Sequence, residues 1–321
     1  MMVLAQQTYV PDDNFETYLE NNGMGDGIAL NDYVYTSAID TVTILYVSNQ
    51  SISNLTGIEA FTALTSLNCE QNQLASLDVS ANTALVELDC SGNQITFLNL
   101  SQNTALTHLY CSENQITFLD LSQNTALTHL SCSENQITFL DLSQNTALSY
   151  LECWVNQLAS LDLSNNTALT TLYCEQNQLT SIDVSNSIYL DAFSCINNLL
   201  TSLDVSANTA LTILVCNSNQ LTSLDLRNGN NNNLTWFSCD DNFSLNCINV
   251  DDVAWSTTNL WSIDPQHYFS TNCSPLSIQE QYSNKELLKA SDLLGRETKQ
   301  TNQLLFYIYD DGTVEKKIII D

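Results

Sequence analysis

Cysteine returns in this chain with a fixed period. Cys69, Cys90, Cys111, Cys132, Cys153, Cys174, Cys195 and Cys216 stand 21 residues apart, and Cys239 follows after 23. Thiols in such number could ligate a metal, cross-link or simply pack. A zinc site gathers its ligands at one point and is commonly announced by C-x-x-C, which the chain lacks. A disulfide ladder needs Cβ atoms about 3.8 Å apart. Equivalent positions on in-register parallel strands lie ~4.8 Å apart and point the same way. The periodic thiols are therefore expected to be reduced and inward, acting as small apolar fillers. Cys247 and Cys273 break the period and flank a capping stretch. In an exported protein they are the expected disulfide pair.

Other residue types invite chemistry less strongly. His108 and His129, one period apart, could hold a metal with Glu87, but histidines so placed are more often solvated, and no metal is expected. A column of Asp78, Asn99, Asp120, Asp141, Asp162, Asp183, Asp204 and Asp225 is expected to titrate above the usual carboxylate range or to attract cations. Its plainer reading is a solvated face protecting an exposed sheet. Thr83, Thr104, Thr125, Thr146, Thr167 and Thr209 form a row similar to that of ice-binding solenoids, but they sit in an N-T-A corner where turn chemistry accounts for them. The loop NNGMGDGIALNDY is similar to an EF-hand, yet Met24 and Tyr33 fall where oxygen ligands belong. That leaves an irregular Ca²⁺ site as the one cofactor alternative. G-x-S-x-G, H-E-x-x-H and phosphate-loop motifs are absent, and no catalytic residues are assigned.

Charge is distributed as unevenly as cysteine. The 321 residues hold 36 Asp and Glu against 7 Lys and Arg, and no Lys or Arg precedes Arg227. The shift marks a boundary near residue 275. A body this acidic is repelled by phosphate backbones, which excludes nucleic acid as a partner. No apolar run is long enough to span a membrane. Residues 1–10 open with MMVLAQQ, whose Leu-Ala-Gln-Gln could be the end of a signal peptide.

The elements that position these residues follow from an inner rhyme. LTSLNCEQNQ at 64–73 is followed by LASLDVSANTA at 74–84, and both halves read L-x-x-L-x-apolar-x-x-N. Apolar residues alternate with others, as in a strand with one buried face, and neither half is long enough for a helix of several turns. The expected fold is mainly β: a right-handed solenoid of about ten coils with parallel strands on both sides, over residues 41–243. Residues 11–40 read as an N-terminal cap with a short helix presenting Phe15, Tyr18 and Leu19 on one face, and residues 244–274 as a C-terminal cap. In residues 275–321, LLFYIY and VEKKIIID read as strands joined at DDG.

The L-x-x-L-x-L-x-x-N pattern resembles leucine-rich repeats, and the nested halves with Cys at the third apolar place resemble the bacterial 21-residue IRREKO subclass. The cap resembles that of flavobacterial relatives. The tail, with D-L-L-G-R-E at 292–297 and FYIYDDGTVEKKI, resembles the sorting segment of Bacteroidetes type IX secretion cargo. That resemblance implies contact with the secretion machinery through Asp292, Gly295, Arg296, Asp310, Asp311 and Gly312. It also implies a secreted or outer-membrane-attached, cell-surface location. In the repeat family the recurring Asn, from Asn72 to Asn242, turns inward to bond backbone groups at the corner.

One face carries the functional expectation. Outward positions on the first strand of each coil vary, whereas those on the second are Ser or Phe, then Asp or Asn. Folding alone does not require that contrast, and a recognition surface does. Glu87, Asp89, His108, Tyr110, His129, Tyr150, Glu152, Trp154 and Tyr173 gather aromatic and acidic groups there. The expected function is a secreted or surface-anchored binding module, such as an adhesin, for a protein or carbohydrate ligand. A structural, ice- or surface-contacting solenoid is the alternative, and an exported enzyme a lesser one.

Overall fold

The structure, a computed structural model, describes residues 5–260, 262–273, 287–291, 304–309 and 314–318. It divides into two units, Met1–Asn272 and Cys273–Asp321.

The first unit is the parallel solenoid that the repeat implies. Ten three-residue strands, from Ile44–Tyr46 to Trp236–Ser238, form one continuous sheet. Each pairs in parallel with the next coil in a register that sets equivalent residues side by side, such as Leu88↔Leu109 and His108↔His129. The central residue of each strand is buried, as are the leucines and the cysteine that follow the same rhythm, including Leu106, Leu109, Cys111, Ile116, Leu119 and Leu121 in one coil. On the second side, ladder pairing is less extensive. Among the described residues it comprises a bridge at Leu77↔Leu98 and a four-stranded sheet of Ser202–Asp204, Ser223–Asp225, Cys247–Asn249 and Tyr268–Ser270. That sheet runs past residue 243, and Cys239 N–H bonds the Ser262 carbonyl at 3.0 Å. The coil therefore continues into residues 244–272, which also hold the helix Val253–Asn259.

Two asparagine ladders close the corners. In the first, Asn135 Nδ2 donates to the carbonyls of Cys111 (3.0 Å), Cys132 (3.2 Å) and Ser133 (3.0 Å), while its Oδ1 accepts from Ile116 N–H at 2.9 Å. The pattern recurs from Asn72 to Asn242. Buried backbone groups need partners, and the asparagine supplies them where the tight corner leaves the Cys111 and Cys132 carbonyls and the Ile116 N–H without backbone ones. The second ladder was not anticipated. Asn82, Asn103, Asn124, Asn145, Asn166 and Asn208 are fully buried in the N-T-A corner, each donating across coils, as Asn103 does to Val79 O and Asn82 O at 2.9 Å. From Gln71 on, successive coils place a residue at the first ladder's corner in the left-handed region, Gly92 among them but also Glu113, Glu134 and Val155.

The amino-terminal helix, Asp13–Asn21, seals the core with Phe15 and Leu19, and Phe15 stacks on Phe61. Asp12 caps it through Asn14 and Phe15 N–H and reaches the solenoid through Ser53 N–H and Oγ. In the loop that follows, carboxylate oxygens face backbone donors: Glu16 accepts from Asn31 and Asp32, and Glu20 from Asp26 and Gly27.

All nine periodic cysteines are free and fully buried. Burial pushes the thiols from Cys69 to Cys195 up, Cys132 to about 12, and at Cys239 the bond with Cys216 and then burial do so, so they stay protonated and unreactive. Cys247 is disulfide-bonded, and so is Cys273. The second unit contains a three-stranded antiparallel sheet with Leu304–Tyr309 between Leu287–Ser291 and Val314–Ile318. Asp292, Gly295, Arg296, Asp310, Asp311 and Gly312 lie outside the described residues.

Candidate recognition face

The register of the ten-stranded sheet brings the variable positions into two adjacent columns. One runs Glu87, His108, His129, Tyr150 and Thr171; the other runs Asp89, Tyr110, Ser131, Glu152 and Tyr173. Residues remote in sequence thereby become neighbours at about the interstrand spacing.

The rings form a continuous train. His108 and His129 stack at 4.3 Å with planes 12° apart, His129 stacks on Tyr150 at 5.7 Å, and Tyr150 meets Tyr173 edge-on at 6.4 Å. Tyr110 flanks His108 at 6.4 Å. Threonine holds both imidazoles in place: Thr107 Oγ1 lies 2.8 Å from His108 Nδ1, and Thr128 Oγ1 2.9 Å from His129 Nδ1. Each hydroxyl donates its own proton to a neighbouring carbonyl, Val86 O and Thr107 O. The network therefore assigns the ring proton to Nδ1 and leaves Nε2 an acceptor. Partial burial, and then the neighbouring His108, hold the His129 imidazole below its ordinary pKa. A neutral His129 ring at neutral pH is the result. Among the described residues no three His, Cys, Asp or Glu converge as a metal site.

The difference between Tyr110 and Ser131 has a local consequence. Ser131 is buried, its Oγ donates to Glu152 Oε2 at 2.8 Å, and it bonds Ser112 Oγ at 2.8 Å. Glu152 also accepts from the Tyr150 hydroxyl. A small hydroxyl at 131 thus anchors the carboxylate that in turn holds Tyr150. Burial and that bond to Glu152 both keep the Tyr150 phenol protonated. The Tyr110 phenol is raised by burial and by the Glu87 and Asp89 charges.

Beside the columns, Trp154, Glu175 and Ile196 occupy one place in three successive coils. With Tyr173 and Gln176 they line a shallow pocket of about 330 Å³. Glu175 was not singled out in the sequence. Its signal was available, because the residue after each periodic cysteine also varies, from Ser133 to Trp154 to Glu175 to Ile196.

The second side contrasts with this. It carries exposed Phe97, Phe118 and Phe139, and a groove of about 460 Å³ lined by Phe139, Asp141, Asp162 and Asp183 among others. The groove is larger, but its walls repeat from coil to coil. The expectation that this aspartate column titrates high is overturned. Asp78, Asp120, Asp141, Asp162 and Asp183 are all lowered, because each accepts from the serine two residues on, as Asp141 does from Ser143 N–H at 2.9 Å. A short local bond in an exposed position outweighs screened repulsion between coils.

A thiol–imidazole–carboxylate arrangement also occurs near the end of the solenoid. Cys239 Sγ lies 3.7 Å from His267 Nδ1, and His267 Nε2 3.5 Å from Asp264 Oδ2. Cys239 is fully buried, and Asp264 N–H already donates to His267 Nδ1 at 3.2 Å. The group packs the end of the cysteine ladder and offers a substrate no approach.

Comparison with known proteins agrees with this architecture. A family model described as leucine-rich repeats (2 copies) matches residues 104–145. The functional domain of InlJ from Listeria monocytogenes, which includes a cysteine ladder, is 31% identical over 84% of this chain and 71% of that one, with a TM-score of 0.48. Internalin C2 of the same organism is 26% identical, covering 67% of this chain and 100% of that one at a TM-score of 0.59. The leucine-rich repeat protein LIC12759 of Leptospira interrogans shares the fold at 19% identity and a TM-score of 0.57, over 73% of this chain and 62% of that one. No curated protein matches the chain. With its 21-residue period, buried leucine rhythm and corner asparagines, the chain belongs to the leucine-rich repeat proteins.

Proposed function

We propose that the chain is an exported, surface-displayed recognition module that binds a protein ligand through the first-strand face between Glu87 and Glu175. The observation carrying this reading is the train of rings from His108 to Tyr173, set among carboxylates on the variable side, while the second side repeats itself. Aromatic side chains already held by packing lose little freedom on binding and serve as anchors. The acidic surroundings favour a partner with a basic surface. A lattice- or ice-contacting solenoid would need its repeating face to be the working one. Export rests on the resemblance of residues 292–297 and 306–318 to a type IX sorting segment. It is tested by deleting 286–321 in a type IX-competent host, where periplasmic retention is expected and unchanged surface arrival refutes it.

The binding test is the full chain against protein and glycan arrays, repeated with Tyr110→Ser, Tyr150→Ser and Tyr173→Ser combined. Partner binding should vanish while the melting temperature stays nearly unchanged. Binding that survives this change but is lost in Asp120→Asn, Asp141→Asn and Asp162→Asn combined would place recognition on the second side. Hits confined to the glycan array would replace the protein ligand with a carbohydrate.

A further inference from the structure

The pocket beside the ring train has an unusual chemical balance. Trp154 and Ile196 stand on either side of Glu175 along the column, one coil away each, and Tyr173 closes the wall. Glu175 Oε2 is buried and makes no well-formed hydrogen bond. The neighbouring Ser194 hydroxyl compensates only in part, and Ser194 Oγ also lacks a well-formed bond. Burial and then the Glu152 charge act against the ionised form. Glu152 itself, by contrast, has both oxygens engaged, by Tyr150 and Ser131. Among the described residues Glu175 is thus the carboxylate of this face with a buried, unpaired oxygen, and an indole, a phenol and an isoleucine side chain line its pocket.

A partly buried carboxylate beside an indole and a phenol is poorly satisfied by water and well satisfied by a cation that also stacks. Arginine does both with its flat fork, and lysine with its apolar stem and ammonium head. Neutral groups would fill the volume but leave the charge uncompensated. We infer that the Trp154–Tyr173–Glu175–Ile196 pocket receives one cationic side chain, arginine or lysine, of the protein ligand. The inference rests on the first-strand face being the recognition surface, and it names the chemistry by which that face selects its partner.

The test uses the full chain and blocked tripeptides Gly-Arg-Gly and Gly-Lys-Gly. Gly-citrulline-Gly and Gly-norleucine-Gly serve as neutral counterparts. The readout is the indole N–H resonance of Trp154, assigned through Trp154→Phe. Both cationic peptides should shift it saturably and the neutral ones should not. Glu175→Gln should weaken the cationic response by about tenfold or more, with the melting temperature unchanged or raised. Asp120→Asn, on the second side, should leave it intact. An equal response to citrulline and arginine, or a Glu175→Gln variant that binds as well as the parent, overturns the assignment. So does a silent Trp154 resonance with every peptide. If the triple tyrosine variant nonetheless loses its array partner, the pocket fails alone and the face stands.

Discussion

The corner asparagines share their acceptors, and that sharing predicts a specific non-additivity. The Cys111 carbonyl accepts from Asn114 of its own coil at 3.2 Å and from Asn135 of the next at 3.0 Å. The Cys132 carbonyl is likewise shared by Asn135 and Asn156. Asn135→Ala therefore leaves both carbonyls with one partner each and orphans only the Ile116 N–H. Asn114→Ala orphans only the Ile95 N–H. Each single change should cost about 1–3 kcal/mol, the desolvation penalty of one buried unpaired group. Combined, they also strip the Cys111 carbonyl of both asparagines, so the pair should cost about 1–3 kcal/mol more than the sum. Asn93 and Asn135 share no acceptor, and their combination should add to within about 0.5 kcal/mol. Urea unfolding followed by circular dichroism, with the slope checked for constancy across the set, measures all three. Equal coupling in the adjacent and the alternate pair would refute the shared-acceptor account.

Three further outcomes are expected. Val155 holds a φ of 50° on a β-branched side chain, so Val155→Asn should raise stability by about 1 kcal/mol in the same assay; a loss would mean that its side-chain packing matters more. Native protein should expose no thiol to an aromatic disulfide reagent, and denaturation without reductant should release nine; three or fewer would overturn the packed-thiol ladder. The aspartates of the second side have folded pKa values below their ordinary 3.8, so the stability they contribute is present above that pH and is lost as pH falls through the folded values. Asp120→Asn, Asp141→Asn and Asp162→Asn together should flatten the acid limb of urea midpoint against pH, because Asn99 makes the same bond to Ser101 without a proton to gain; an unchanged acid limb would remove these residues as its cause.

The repeat was legible because every coil solves one backbone problem with the same residues. Inward cysteines, corner asparagines and a strand at each L-x-C all follow from a 21-residue period and a narrow core. The second asparagine ladder was hidden by its neighbour: in N-T-A the exposed Thr drew the turn reading, although the buried residue is the Asn. The sign of the aspartate pKa shift was missed because repulsion along the column was weighed and the Asp-x-Ser spacing was not. That spacing delivers an amide to each carboxylate. The ring train was visible as a list of residues, but its continuity needed the register, which turns a difference of 21 in sequence into direct stacking. Glu175 escaped because its environment is made by the coils before and after it, and no local pattern marks a desolvated carboxylate.

The shared acceptors also bear on how such a chain grows. Each rung of the asparagine ladder bonds half to its own coil and half to the one before, in the same way at every step. A whole coil can therefore be inserted or excised without creating a new kind of junction. Residues 106–126 and 127–147 differ only at Tyr110 and Ser131, as a recent tandem copy would. Duplication of this kind lengthens the face in quanta of one strand and hands selection an extra pair of outward positions. The one difference between the two copies lies at such a position. The solenoid can in this way extend its vocabulary of surface residues one coil at a time while its interior grammar stays the same.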